Sequence, residues 1–416
     1  MTSWQLRRLG DVGAIVTGST PPSSKPEWFG DALPFITPTD MGESDRRVRP
    51  QRWLSEDGRA GLRNRVLPPD SVGFVCIGAT IGKLCLTEVE SVTNQQVNSI
   101  IPDDATDARF LYYLLRLEAA RIAPMAGGAA TPIMNKSAFS NVVVRVPDLA
   151  TQRRVGDVLG AIDDLIENNR RRVEVLEEMA RSIYREWFVH FRYPGHETVP
   201  LVDSPLGPIP EGWEVSSVAE TSAVVTRGIA PKYSDGGPSV VLNQKCIRDE
   251  RVSFARSRRQ ERPISDVKLV RNGDVLINST GVGTLGRVAY YRGGRADVTV
   301  DSHVTIARPR YEGLNPWYGL SLVALQSEFE RLGAGSTGQT ELGRGVIGAL
   351  PLHLPPTALL ELFAARVRPL LLQGDQLVAQ GGGLAEMRDL LLPKLVTGQI
   401  DVSTLDLDGL LEGAVA

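Results

Sequence analysis

The feature of this 416-residue sequence that most constrains its fold is a long internal repeat. The stretch "WQLRRLGDVGAIVTGSTP" returns as "WEVSSVAETSAVVTRGIAP", and "PDSVGFVCIGATIGKLCL" returns as "NGDVLINSTGVGTLGRVAYY". Five pairs recur in the same order, each offset by about 203–209 residues: 4–21 and 213–231, 69–86 and 272–291, 94–101 and 300–307, 142–155 and 349–362, 176–188 and 384–396. A repeat of this length indicates two copies of one structural module.

Each copy has a mixed part followed by a long helical part. Short β-type runs such as "AIVTGS" and "VVVRVP" alternate with turn residues, and a helical patch interrupts them at "RFLYYLLRLEAARI". We therefore predict an α+β fold with two similar β-rich domains joined by two long helices. The predicted segments are a first domain at 1–150, a helix and linker at 151–205, a second domain at 206–356, and a C-terminal helix and tail at 357–416.

The two helical segments carry apolar residues at heptad spacing, which favours an antiparallel coiled coil about 60 Å long. The predicted seam residues are Val158, Ile162, Leu165, Asn169, Leu176, Phe363, Val367, Leu370, Leu377 and Leu384. Asn169 is a candidate register-setting residue. Thr151 and Thr357 suit N-caps, while "QGGG" at 380–383 and Pro393 predict a kink or break. Two amphipathic helices lying on separate domains remain an alternative.

The glycines at 281, 283 and 286 spell G-x-G-x-x-G, but their context excludes a dinucleotide site. That fingerprint requires a strand before the glycines and a helix after them. Here a β-type run, "RVAYY", follows. A phosphate-binding G-x-x-x-x-G-K-[ST] motif is also missing, and no nucleophile–base or paired-carboxylate set recurs in both copies. The sequence therefore predicts no catalytic residue, and a fused methyltransferase or nuclease is excluded.

Composition narrows the remaining classes. The three cysteines and four histidines lack metal-ligand spacing, so we expect no metal site and no disulfide framework. No apolar run is long enough to cross a membrane, so we expect a cytoplasmic chain. The net charge of −3 argues mildly against a free-standing nucleic-acid binder, yet 39 of the 46 basic residues are arginine, which reads bases well.

Both copies share polar, glycine-punctuated loops, and the arginine-rich stretches 46–52 and 256–262 occupy equivalent places. Such paired loop sets are what reading a two-part polymer requires, with some side chains on phosphates and others on base edges. The alternative is that most of these residues form turns and solvated surface. The candidate DNA contacts are Thr17, Ser19, Thr20, Lys25, Thr37, Thr39, Thr80, Lys83, Gln95, Gln96, Asn135, Lys136, Arg227, Lys232, Tyr233, Asn243, Lys245, Thr284, Arg287, Ser302, His303, Gln339 and Arg344.

Taken in order along all 416 residues, these motifs resemble the specificity subunits of Type I restriction–modification systems. The motifs that carry the resemblance are "DVGAIVTGSTP", "FITPTD", "GATIGK" with "GVGTLGR", "NQQVNSI" and, most specifically, "LLLPKLVTGQIDVS" after a long helix. The second helix departs from its counterpart, because it carries Gly381–Gly383 and lacks an aromatic pair like Trp187–Phe188.

The resemblance implies two target-recognition domains that each read half of a split double-stranded DNA sequence, with the helices as a ruler between them. It implies no cofactor on this chain. S-adenosylmethionine would be bound by two modification subunits, and ATP with Mg²⁺ by restriction subunits. A non-DNA scaffold, a carbohydrate-type β module, and a relic without DNA binding remain the alternatives.

Overall fold

A computed structural model of the protein describes residues 4–42, 46–128, 131–333 and 341–402. The chain divides into two compact units of similar size. Unit 1 comprises residues 1–170 and 378–416, and unit 2 comprises residues 171–377. Each unit contains one β-rich domain together with part of each long helix.

Unit 1 is built on two four-stranded sheets and a two-stranded ribbon. Its elements are β1 Gln5–Arg8, β2 Gly13–Thr17, β3 Phe29–Gly30, β4 Leu33–Ile36, β5 Arg52–Leu54, α1 Glu56–Gly61, β6 Val72–Val75, β7 Leu84–Leu86, β8 Val92–Thr93, β9 Val97–Pro102, α2 Ala108–Ile122, α3 Lys136–Ser140, β10 Val143–Val146 and the start of α4 Leu149–Tyr184. The sheet orders are β2-β9-β6-β7 and β3-β5-β4-β8, and β1 pairs with β10. Helix α2 packs against the first sheet and places Phe110 and Leu115 in the core.

Unit 2 repeats this plan, except that its second sheet has three strands instead of four. A short π-helical turn, Arg185–Val189, continues α4 and leads into the unit. Its further elements are β11 Leu201–Val202, β12 Ile209–Pro210, β13 Glu214–Ser217, α5 Val218–Thr221, β14 Ser222–Arg227, β15 Ser239–Leu242, β16 Ile247–Arg248, β17 Arg251–Val252, β18 Arg258–Gln260, β19 Val275–Asn278, β20 Val288–Tyr290, β21 Val298–Val300, β22 Val304–Pro309, α6 Trp317–Ala324, α7 Gln326–Gly333, α8 Arg344–Ala349, β23 Pro351–Leu354 and α9 Thr357–Val396. The order β14-β22-β19-β20 matches β2-β9-β6-β7, and β13 pairs with β23 as β1 pairs with β10.

The repeat extends to single hydrogen bonds, which confirms the predicted duplication. The amide of Gly18 donates to the Val97 carbonyl at 3.0 Å, and the amide of Gly228 donates to the Val304 carbonyl at 3.1 Å. A Cβ added to either glycine would lie 2.2 Å or 2.0 Å, respectively, from a backbone oxygen. Because no side chain fits such a gap, glycine is required at both places.

The two long helices pack antiparallel within each unit. In unit 1, Arg154 of α4 donates to the Val402 carbonyl just beyond α9, while Asp163 pairs with Arg388. Residue numbers therefore rise along one helix as they fall along the other. In unit 2, the fully buried ring of Phe363 lies 4.7 Å from that of Phe188. The predicted α+β fold with antiparallel helices is thus the observed one.

Burial along the helices follows the predicted seam with shifts of one residue. Of the seam residues, Ile162, Asn169, Phe363, Val367 and Leu377 are buried, while Val158, Leu165, Leu176, Leu370 and Leu384 are half-buried. Leu159 and Leu371 are buried instead of their predicted neighbours. Each helix contacts both its partner helix and a β-rich domain, so its buried face is wider than a two-position heptad seam.

Two local predictions about the helices are wrong. Helix α4 begins at Leu149 rather than after Thr151, because the Asp148 carboxylate accepts the Thr151 amide at 2.9 Å. Helix α9 runs unbroken through the glycines at 381–383 and through Pro393. Pro393 lacks the amide that would bond to the Asp389 carbonyl, so the helix loses that one hydrogen bond. Burial of Leu392, Leu395 and Val396 in the unit 1 core offsets this loss and the poor propensity of glycine. In the described part of the chain, no helix combines the length and apolar character needed to cross a bilayer.

Candidate nucleic-acid interface

The sequence-predicted loops gather at one end of the corresponding four-stranded sheet in each unit. In unit 2, β14 and β19 end where β22 and β20 begin, since β22 is antiparallel to both of its neighbours. We call the loops at this end loop cluster 2, residues 227–229, 243–246, 279–287 and 301–303. In unit 1, the same end of β2-β9-β6-β7 carries loop cluster 1, residues 17–20, 37–41, 76–83 and 94–96.

The glycine-rich loop of cluster 2 is held by one buried side chain. Asn278, which is fully buried at the end of β19, donates from Nδ2 to the Thr284 carbonyl at 3.0 Å and to the Gln244 carbonyl at 3.1 Å. The amide of Gly286 donates back to the Asn278 carbonyl at 2.8 Å. Gly281, Gly283 and Gly286 all have positive φ. The glycines therefore close a tight strand–loop–strand turn rather than a dinucleotide site.

Hydrogen-bonding side chains are linked on the surface of cluster 2. The Thr280 hydroxyl lies 2.8 Å from Nδ1 of the exposed His303, and Gln244 donates from Nε2 to the Thr280 carbonyl at 2.8 Å. Ser302 directly precedes His303 on the same loop. Linked donors and acceptors of this kind can present a fixed pattern to a polar ligand such as a base edge.

Two arginines border the same loop, but their surroundings differ. Arg227 forms an ion pair with Glu341 at 2.8 Å and also donates to the Leu342 carbonyl. Arg287 donates from one Nη to the Gly283 carbonyl at 2.7 Å. Within the described residues, no carboxylate lies at ion-pair distance from Arg287, so its charge can serve an external anion.

Cluster 1 is more tightly bonded to itself. The Thr17 hydroxyl donates to Asn98 Oδ1 at 2.7 Å, and Thr20 donates to the exposed Gln95. Lys83, the counterpart of Arg287, points inward and donates from Nζ to the Met41 carbonyl at 2.7 Å. The two matching basic residues are therefore not equivalent, because the ammonium of Lys83 is partly used in bracing the loop at 37–41.

Most other predicted contact residues lie in or beside the clusters. In cluster 1, Ser19, Thr37, Thr80 and Gln96 are half-buried, and Thr39 is exposed; in cluster 2, Asn243, Thr284 and Ser302 are half-buried, and Lys245 is exposed. The hydroxyl of Thr37 bonds to Asp40, and Asn243 donates to the Arg256 carbonyl at 2.8 Å.

The remaining predicted residues belong to other surfaces. Lys25 lies 4.3 Å above the ring of Trp28. Asn135 caps α3, which begins with Lys136, and Arg344 begins α8. Lys232 forms an ion pair with Glu261. Gln339 lies outside the described residues.

The two arginine-rich stretches have different surroundings. In the first, Arg46 and Arg47 contact Asp164 of α4 at 2.6 and 3.1 Å, and Arg49 contacts Glu167 at 3.3 Å. This stretch therefore fastens the β-rich domain of unit 1 to its helix.

In the second stretch, Arg258 lies 3.7 Å above the ring of Tyr233, and both side chains are exposed. A cation stacked on an aromatic ring is a surface that phosphates and bases can both contact.

Sequence reasoning missed three residues in or directly beside cluster 2. Asn278, Gln244 and Thr280 form its hydrogen-bond network, but the sequence pattern indicates only the loops around them. The available signal was an asparagine that ends a continuous apolar strand run, "DVLIN", directly before a glycine loop. A polar residue in that place tends to be buried and must bond to backbone.

Metal-binding and reactive-thiol chemistry are not indicated in the described ranges. They contain no group of three or more metal-ligating side chains. Burial raises the pKa of the Cys76 thiol to about 11 and that of Cys85 to about 12, so both stay protonated near neutral pH. Neither cysteine is poised as a nucleophile.

The fold and the loops together define a class of protein. It has two similar modules, each module presents a polar loop cluster, and each includes part of both long helices. Comparisons with known proteins agree. The model of the Type I restriction modification DNA specificity domain matches residues 1–178. Residues 1–178 therefore match that domain, and the chain as a whole is similar to Type I restriction–modification specificity subunits.

Individual relatives match to different extents. The MjaIX specificity subunit of Methanocaldococcus jannaschii is 25% identical over 415 residues, which cover 97% of this chain and 94% of the relative. The HindI specificity subunit of Haemophilus influenzae is 34% identical over 175 residues, 40% of this chain and 38% of the relative. A crystal structure of the S subunit of a Type I system from M. genitalium shares the fold, with a TM-score of 0.59, 15% identity, and coverage of 95% of this chain and 96% of that chain.

Proposed function

We propose that this chain is the non-catalytic, sequence-specific DNA-binding subunit of a Type I restriction–modification complex and reads a split DNA target. One observation carries the proposal: the same end of the same sheet presents a polar loop cluster in both modules. Two similar readers in one chain fit a target with two half-sites. Since the clusters differ in side chains, as Lys83 and Arg287 show, the half-sites should differ in sequence.

The proposed chemistry of reading follows from the side chains of the clusters. Amides such as Gln95 and Gln244 can bond to adenine, and arginine can bond to guanine in the major groove. The exposed Arg258–Tyr233 stack would add phosphate or base contacts outside cluster 2. The threonine and serine hydroxyls of both clusters can donate or accept, so they would bond to more than one kind of base edge.

The proposed partners follow from the similarity to Type I specificity subunits. Two modification subunits would bind S-adenosylmethionine and methylate adenine, one beside each module. Restriction subunits would bring ATP and Mg²⁺. This chain would hold no cofactor and would act in the cytoplasm, where the DNA of a bacterial or archaeal cell lies.

The test is methylation mapping by single-molecule sequencing. DNA is taken from cells that express this chain with the modification gene encoded beside it, and from cells that express either gene alone. A split motif with methyladenine in both halves, dependent on both genes, is expected. No methylation from a purified complex that contains both subunits would overturn the proposal and favour a relic or a scaffold.

A further inference from the structure

The tip of the glycine-rich loop in cluster 2 carries an apolar side chain that contacts almost nothing. Val282 is 99% exposed, whereas Leu6, the next most exposed large hydrophobic side chain of the described residues, is 72% exposed. Isolated apolar side chains are common on protein surfaces. The setting of Val282 is what distinguishes it.

The loop that carries Val282 is braced from within. Gly281 and Gly283 flank it at φ of +107° and +72°, and Thr284 and Leu285 both donate their amides to the Gly281 carbonyl, at 3.1 and 2.9 Å. Asn278 holds the far side of the loop from below. A β-branched side chain on such a support has few rotamers, so it loses little entropy when it contacts a ligand.

The neighbours of Val282 are polar and can form hydrogen bonds. Arg287 bonds to the adjacent Gly283 carbonyl, and the Thr280–His303 pair lies on the other side of the loop. A protein surface for an apolar partner would be expected to continue as an apolar patch. A single apolar side chain surrounded by hydrogen-bond donors and acceptors matches a ligand that carries one apolar group beside hydrogen-bonding atoms.

The major-groove edge of an A·T pair has that mixture, since it offers the thymine C5 methyl group beside hydrogen-bonding atoms. Insertion between base steps of the minor groove uses larger wedges such as Phe, Leu or Met. We propose that Val282 contacts the C5 methyl of one thymine in the half-site read by unit 2. This inference rests on the proposed function and names one specificity-determining residue within it.

The test removes the methyl group from the DNA and the side chain from the protein in turn. The complex with its modification subunits is titrated onto duplexes that carry the mapped target, and each thymine of either half-site is replaced singly by deoxyuridine. At one thymine of a single half-site, the affinity of the wild-type complex is expected to fall about three- to fivefold, the size expected for one buried methyl group. With Val282→Ala, the same replacement should have less than half of that effect.

Leu201→Ala is the matched control, because Leu201 is an exposed apolar residue of unit 2 outside cluster 2. That variant should keep the full deoxyuridine effect. A deoxyuridine effect that is equal in the wild type and in Val282→Ala at every thymine, or a half-site without thymine, would overturn the assignment. Either result leaves target-specific methylation intact, so it is distinguishable from failure of the proposed function, in which no split target binds at all.

Discussion

At the scale of single residues, Arg287 and Lys83 occupy matching positions but have different surroundings. Arg287 bonds to a loop carbonyl and faces no carboxylate within the described residues, whereas Lys83 donates to two backbone carbonyls of its own unit. The sequence could align these two basic residues. It could not reveal the direction of each side chain. Lys83 points toward the loop at 37–41 because that loop places two carbonyls next to it, and this proximity depends on the fold.

Arg287→Ala is expected to weaken DNA binding by roughly 1–3 kcal/mol if the guanidinium reads a base, or to lower the salt dependence by about one counterion if it contacts phosphate. The measurement is a salt-series titration of the complex with its mapped target. Arg331→Ala serves as the control, because Arg331 is an exposed residue of α7 that pairs with Glu328. Unchanged affinity together with an unchanged salt slope would contradict a role in DNA contact.

At the scale of elements, α9 shows why local propensity misjudges a long helix. The glycines at 381–383 predict a break, yet the helix continues to Val396, and Leu377 before them and Arg388 after them are both buried. The heptad pattern predicted both helices, and half of the ten predicted seam residues are buried. It did not place Leu159 and Leu371, whose core clusters contain residues of the β-rich domains as well as of the partner helix.

Gly382→Ala is expected to stabilise the protein by about 0.4–1 kcal/mol, because alanine has fewer unfolded conformations and a Cβ there would meet nothing within 4 Å. The measurement is the free energy of unfolding of unit 1 in urea. Gly18→Ala is the opposing control in the same unit, since its Cβ would lie 2.2 Å from the Thr93 carbonyl oxygen. A loss of stability in Gly382→Ala would show that the helix needs glycine at that turn.

The buried ion pair of Asp163 and Arg388 joins the two helices within unit 1. Their side chains are 7% and 3% exposed, the contact is 2.6 Å, and Asp163 also accepts the Tyr113 hydroxyl at 2.6 Å. Arg388→Met would leave the carboxylate buried without its cation, so we expect a loss of about 3–5 kcal/mol in unfolding free energy.

The exposed pair of Arg331 and Glu328 is the reference for that prediction, and its Arg331→Ala variant should lose less than about 1 kcal/mol. Combining Arg388→Met with Asp163→Asn should restore part of the loss, because no unpaired charge then remains buried. Equal small losses in Arg388→Met and Arg331→Ala would show that water reaches the buried pair.

At the scale of the whole molecule, both long helices belong partly to unit 1 and partly to unit 2. The repeat, the fold class and the family-level resemblance could all be predicted from the sequence, because five ordered matches constrain topology strongly. The network of Asn278, Gln244 and Thr280 could not, since it joins residues from separate segments of unit 2.

Removing one heptad from 158–179 together with its match in 363–384 should change the spacer of the DNA target. A heptad of helix is about 10.5 Å long and a base pair about 3.4 Å, so the spacer should shorten by about three base pairs. The measurement is the methylation map of cells that express the shortened chain with its modification subunit. An unchanged spacer in a folded, methylating complex would show that the helices do not measure the distance.

The pairing of β1 with β10, and of β13 with β23, has a consequence for how such chains change over time. Gln5 lies opposite Val146, and Glu214 lies opposite Leu354, so each module begins and ends at the same two-stranded ribbon. The residues between those two strands can be exchanged as a block, because the first and last strands of the module stay paired with each other. A recombination event could therefore replace one module as a unit and give the chain a new half-site in a single genetic step, while the helices that follow keep their sequence.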